Sequence, residues 1–141
     1  MRLIPITAAI LAGAFAFSAQ AENQLAVSDT FPVLSLNDQH DEPIAVPGDA
    51  QVIFFAESKD ADDWFDQTIS EFDPALLIEG KWLYLSDISR MPSLVTRLFA
   101  LPSLRGRDYP VALIRDGEKV EALPAQDECI TVFLMEQQTI S

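Results

Sequence analysis

The sequence is poor in the residues that most metal and nucleophilic chemistry needs. It has one cysteine, Cys129, and one histidine, His40. A single cysteine excludes an intramolecular disulfide. It reads as a small buried apolar residue, or else as an exposed thiol able to link two chains. His40 sits in a turn beside Asp38 and Asp41, and alone it makes neither a zinc site nor a nucleophilic triad. Glycine totals 5, with no Gly-rich phosphate loop and no G-x-S-x-G elbow. Cations are scarce as well. Lys and Arg number 9 against 22 Asp and Glu, a net charge of −13. Nucleic acid requires clustered cations that this chain lacks, and anionic lipid repels so acidic a surface. No residue pattern calls for a cofactor or a resident metal.

The 141 residues, 49% of them hydrophobic, suffice for one real core. The first 21 have the form of a signal peptide: Met1-Arg2, an uncharged apolar run over 3–17, then Ala19 and Ala21 at the small positions a signal peptidase reads. The run is short for a membrane span, and no second one follows. The expected product is a single domain over 22–141, exported to the periplasm of a Gram-negative cell and not held in the membrane after cleavage.

Along that domain, Phe31–Leu36 reads as a strand. A turn over 37–41 follows, then a return strand from Glu42. The apolar run Gln51–Ala56 suits a strand covered on both faces. A helix is expected over 61–72, with Phe65, Ile69 and Phe72 on one face and Ser58, Asp60 or Asp62 as cap. Lys81–Ser86 reads as a second buried strand. A helix near 90–100 carries Met91, Leu94, Val95, Leu98 and Phe99 as a wide apolar stripe. Val111–Arg115 and Glu118–Glu121, joined by Asp116-Gly117, read as a hairpin. The stretch 125–138 reads as a last helix, from the spacing of Ile130, Phe133 and Leu134. Strands alternating with helices imply an α/β sheet with helices on both faces.

Three stretches together resemble the thioredoxin-like fold, in the branch shared by peroxiredoxins and periplasmic thiol-disulfide proteins. Phe31-Pro-Val-Leu-Ser-Leu-Asn-Asp-Gln-His-Asp-Glu-Pro-Ile is similar to the opening hairpin of that branch, with Asp41 where Gly is usual. Val52–Ser58 resembles the strand leading to the active-site loop. Tyr109-Pro110 through Val120 resembles the cis-proline loop and the hairpin after it. The run Asp87–Pro102, with Tyr109-Pro110 and Asp116-Gly117, is also similar to a group of short exported bacterial proteins that have no established activity. The resemblance implies a mixed central sheet with an N-terminal hairpin, a cis Pro110, and an active-site loop at the start of the first helix. Redox enzymes of the family carry Cys-x-x-Cys there. Alignment on Phe54-Phe55-Ala56 puts Lys59 and Asp62 near those positions, so Ser58, Lys59, Asp60 and Asp62 form a degenerate loop. Dithiol exchange and peroxiredoxin-type peroxidase activity both need a cysteine in that place.

The remaining candidates are charged. Asp60, Asp62, Asp63, Asp66 and Glu71 span the length of an EF-hand loop, but Phe65 stands where that loop needs Gly and Trp64 at a ligand position. They read more simply as carboxylates at a helix N-terminus, with a weak Ca²⁺ site as the alternative. The resemblance sets Arg105 or Arg107 across the former active site from Asp60 or Asp62, as a surface ion pair or as one wall of a peptide groove. Two classes of function follow. One is a non-catalytic module that binds a protein or peptide near Arg105, Arg107, Tyr109 and Pro110. The other is an enzyme using Asp60, Asp62 and Arg107 for non-thiol chemistry.

Overall fold

The computed structural model describes residues 24–141; the stretch read as a signal peptide lies outside them. The order is β1 (Leu34–Asn37), β2 (Pro43–Val46), β3 (Val52–Ala56), α1 (Lys59–Ile69), α2 (Ala75–Ile78), β4 (Trp82–Asp87), α3 (Ser93–Val95), a π-helical turn (Thr96–Ala100), α4 (Leu101–Arg105), β5 (Ala112–Ile114), a 3₁₀ turn (Gly117–Val120), β6 (Thr131–Glu136) and β7 (Thr139–Ile140). The strands form one mixed sheet in the order β2-β1-β5-β4-β3-β6-β7. β3, β4 and β5 are parallel, and β6 runs antiparallel to β3.

Alternation along the central strands sorts their side chains into two cores. Ile53, Phe55, Leu83, Leu85, Ala112 and Ile114 point to one face. Phe54, Tyr84 and Leu113 point to the other, where α1 lays Ala61, Phe65 and Ile69. Each large apolar side chain buried there contributes about 1.5–3 kcal/mol. The two faces are covered unequally. Both crossovers, β3 to β4 and β4 to β5, step the same way along the sheet, and right-handed crossovers then put both sets of helices on one face. The opposite face is closed by Phe31, by Val120 of the 3₁₀ turn and by Leu123.

Four expectations need correction. The stretch 125–138 is not a helix: Thr131–Glu136 and Thr139–Ile140 are paired strands. The period that decides is two, with Phe133 and Met135 buried and Val132 and Leu134 outward. The hairpin at Asp116-Gly117 is also absent. β5 already has β4 on one side and β1 on the other, so no edge is left for a return strand, and 117–120 closes as a 3₁₀ turn. Gly117 allows close approach there, since a Cβ would lie 2.9 Å from Ser89 Oγ. Phe72 falls beyond the end of α1 and is exposed, tilted against Trp82.

The fourth correction is the apolar stripe. The helical run 93–105 buries Thr96, Leu101 and Leu104, while Leu94, Val95, Leu98 and Phe99 face outward. In a continuous α-helix Leu94, Leu98 and Leu101 would share a face. The π turn separates them: the Leu101 N–H donates to the Thr96 carbonyl, five residues back. Pro102 follows, with no N–H to offer and a ring that crowds the carbonyl four residues earlier. The widened turn accommodates it and rotates the second half of the run relative to the first.

Candidate functional site

The N-terminus of α1 follows β3 directly. Ser58 caps it, its Oγ accepting from the Ala61 N–H at 3.2 Å. The same oxygen accepts from the Glu128 N–H at 3.2 Å, which draws the 126–130 turn onto the start of α1. Cys129 is therefore close to the α1 cap in space, although remote in sequence, and it is exposed rather than buried. Lys59 and Asp63 form an exposed ion pair one turn apart, and the hydrogen bond raises the lysine pKa.

Asp62, which lines the same groove as Lys59 and Asp63, turns its carboxylate toward the loop 105–111. Arg107 donates to it through both terminal nitrogens, at 2.9 and 2.7 Å, and the Tyr84 hydroxyl donates to it as well. Arg107 Nε lies 3.4 Å from Asp66, whose Oδ1 accepts from the Tyr109 hydroxyl at 2.8 Å. The Arg107 side chain is 7% exposed and that of Asp62 16%, so this is a largely buried pair rather than a surface one. Burial works against the Arg107 charge, but the Asp62 hydrogen bonds and charge outweigh it and hold the guanidinium above its ordinary range. Burial, reinforced by Asp62, pushes the Tyr84 phenol well above its ordinary 10.0. Burial and the bond to Asp66 do the same for Tyr109. The ring of Phe65 stacks on Tyr84 at 3.9 Å.

A residue with no signal in the sequence completes this clamp. Gln39, 2% exposed, donates to the carbonyls of Tyr109 (2.8 Å) and Leu104 (3.3 Å), and its Oε1 accepts from the Val111 N–H (2.8 Å). Arg105 does not reach the acids; its Nε donates to the Gln39 carbonyl at 3.0 Å. Asp60 is exposed and pairs with no arginine among the described residues. The Tyr109–Pro110 bond is trans, the ordinary state of an X–Pro bond; the cis bond among the described residues joins Val46 to Pro47. Its place in the sheet explains the discrepancy: Tyr109-Pro110 leads into β5, two strands from β3, whereas the turn that meets the α1 cap leads into β6. The loop 105–111 is thus occupied by internal contacts.

Hollows open on both sides of α1; the one beside the clamp, about 420 Å³, is lined by Asp66, Ile69, Arg107, Asp108 and Tyr109. A groove of about 120 Å³ runs between the start of α1 and the helical run, lined by Lys59, Asp63, Ile88, Met91, Val95 and Phe99. Its outer lip continues into Leu94 and Leu98, 63% and 54% exposed. A larger polar hollow of about 630 Å³ opens at the C-terminal ends of the parallel strands, between Glu57, Arg90, Arg115 and Glu121. The acidic run on α1 holds no grouping of three or more His, Cys, Asp or Glu placed to ligate one ion, nor do the other described residues.

No protein-family model matches the sequence, and a search of curated proteins finds none similar to it. Solved structures do resemble it. A candidate protein disulfide isomerase from Bacteroides thetaiotaomicron superposes with a TM-score of 0.56 at 11% identity, covering 82% of this chain and 76% of that one. A conserved protein of unknown function from Bacteroides fragilis gives 0.54 at 13%, covering 82% and 88%. A peroxiredoxin-like protein from Aquifex aeolicus gives 0.51 at 17%, covering 83% and 73%. The fold is thioredoxin-like. At these identities the likeness concerns the fold alone, since one fold hosts many functions. Within that thioredoxin-like frame the loop at the start of α1 carries Ser58, Lys59, Asp60 and Asp62, and the chain's single cysteine cannot form an intrachain dithiol pair.

Proposed function

We propose that this chain is an exported, redox-inactive thioredoxin-like domain that binds a segment of another protein in the groove between α1 and the helical run 93–105. The observation that carries this is the outward stripe of Leu94, Val95, Leu98 and Phe99. Four large apolar side chains on one short run, beside an apolar groove, form the type of contiguous surface that marks an interaction site. The groove begins where redox relatives of the fold hold their thiols, so a partner bound there would lie along the surface that such enzymes use for protein substrates. Arg107, Tyr109 and Pro110 serve it indirectly, by fixing α1 and the loop 105–111 on which the far wall rests.

Site-specific photocrosslinking in cells tests this. A photoreactive residue at Phe99 should give a discrete adduct in the periplasmic fraction. One at Val33, 76% exposed but remote from the groove, should give none. Equal adducts from both positions, or none from Phe99, would reject the groove as a docking site. Recovery of the chain from the cytoplasm at full length would reject export.

A further inference from the structure

We infer that the sheet face over β3 and β6 is a second docking surface, and that it takes a basic amphipathic helix of another protein. This surface is separate from the groove proposed above and does not depend on it. Two cross-strand rows mark where the helical layer stops. In one, Tyr84, Phe54 and Val132 stand side by side on β4, β3 and β6. Tyr84 is buried, Phe54 half-buried and Val132 49% exposed. The next row runs Trp82, Val52 and Leu134, from half-buried Trp82 to a Leu134 that is 55% exposed. α1 therefore covers β4 and leaves β6 bare. Trp64 of α1 is exposed as well. It stands about 200° around the helix from Asp62 and Asp66. Asp62 is bonded to Tyr84 of β4, so the Trp64 side is the one toward β6. Phe72, also exposed, tilts against Trp82 and extends the patch past the end of α1.

The margin of this patch is acidic. Glu136 follows Leu134 on the same face of β6. Asp60 precedes Trp64 by one helical turn, and Glu71 adjoins Phe72. All three are exposed, and none has a cation within ion-pair distance among the described residues. The cations lie elsewhere. Lys59 is paired with Asp63 on the groove side of α1, and Lys81 is held by Glu79 at 3.8 Å. Lys119 belongs to the 3₁₀ turn that closes the opposite face. The five arginines beyond Arg2 fall between the end of β4 and the residue after β5. An apolar sheet face is closed by a helix laid along it, and α1 supplies the neighbour against which that helix packs. Unmatched carboxylates around the patch select Lys and Arg at the partner's flanking positions. A second copy would set the same carboxylates against these. An anionic membrane would meet them with charge of the same sign.

Both tryptophans of the chain, Trp64 and Trp82, belong to this patch, so intrinsic fluorescence reports on it. The probes are two synthetic helical peptides with identical leucine positions and no tryptophan, one with lysine and one with glutamate at every polar position. The lysine peptide should shift tryptophan emission of the purified protein to the blue, at a concentration at least about tenfold below that needed for the glutamate peptide. Leu134→Thr, which keeps a strand-forming residue, should abolish the shift. Glu71→Lys with Glu136→Lys should erase the preference for lysine. Both variants should keep the native circular dichroism spectrum. Phe99→Ser should leave the shift intact, which separates this face from the groove. Equal response to the two peptides, a preference for glutamate, no shift with either, or a shift that survives Leu134→Thr would overturn the inference. So would a shift lost in Phe99→Ser, which would place the peptide in the groove. A blue shift on vesicles of phosphatidylglycerol and phosphatidylcholine, with none on either peptide, would make a membrane the occupant. A dimer in light scattering that Leu134→Thr dissociates, with no peptide response, would make it a second copy. Either result overturns the inference, and the Phe99 adduct in cells decides the groove separately.

Discussion

The two flanks of α1 treat water in opposite ways. On one, Asp62, Asp66, Arg107, Tyr84 and Tyr109 are joined by hydrogen bonds, and the cation at their centre is almost out of solvent. On the other, Phe99, Leu98 and Leu94 are exposed, with none of the described residues covering them. Polar groups are closed in and apolar groups are left out, the reverse of what the hydrophobic effect alone would arrange. The closed flank holds the helix in place. The open flank is surface that stability does not require.

That contrast can be broken from the closed side first. Arg107→Ala would leave the Asp62 carboxylate largely buried without its cation, and the expected loss is about 3–5 kcal/mol in urea unfolding. A loss under about 1 kcal/mol would mean the pair behaves as an exposed one. Leu104→Ala, on the buried side of the helical run, should cost about 2–5 kcal/mol. Gln39→Ala should cost about 1–3 kcal/mol, because it strands the Val111 N–H and the Tyr109 carbonyl in the interior. The same melts would read both.

The two tyrosines sharpen the contrast through pH. Both have phenols raised above 10.0 in the folded state by burial and by carboxylate partners. Below about pH 10 the phenols are protonated in both states and the clamp keeps its full contribution. Above it the unfolded chain releases protons that the native one retains, so stability falls as pH rises. With only two tyrosines in the chain, absorbance at 295 nm should show no tyrosinate until the protein unfolds. A gradual rise near pH 10 with native circular dichroism would show the clamp to be open. The smallest effect belongs to the open flank: Leu98→Ala should change stability by no more than about 0.5 kcal/mol, against the kilocalories lost for the same exchange at Leu104.

The sequence disclosed the parts whose pattern is local. The apolar runs at 51–56 and 81–86, the placing of Phe65 and Ile69 on the buried face of α1, and Ser58 among its candidate caps were all legible. The resemblance set Arg105 or Arg107 against Asp60 or Asp62, and of those four pairings only Arg107 with Asp62 forms among the described residues. What escaped depends on distant neighbours. Ile130, Phe133 and Leu134 fit a helical spacing, and only pairing with β3 selects the alternation of Phe133 and Met135. Asp116-Gly117 carries a hairpin signal that two flanking strands overrule. The stripe at 94–99 was visible, but its direction was not, because one widened turn ahead of Pro102 decides it. Gln39 sat in a polar turn cluster that gave no hint of an inward amide.

The position of β6 has a consequence for how the chain reaches this state. β3 lies inside the sheet, yet one of its neighbours comes from the far end of the sequence, with Val52 opposite Leu134. The pairings of β3, β4 and β5 involve segments that emerge earlier and that a helix can carry into register. The β3–β6 pairing must close nearly the whole domain into one loop before it gains anything, and such distant contacts slow folding. A nascent chain lacking its last dozen or so residues would expose the flank of β3 as an unpaired edge, the form in which strands recruit wrong partners. Folding of this domain should therefore be completed only after residues 131–136 have left the ribosome.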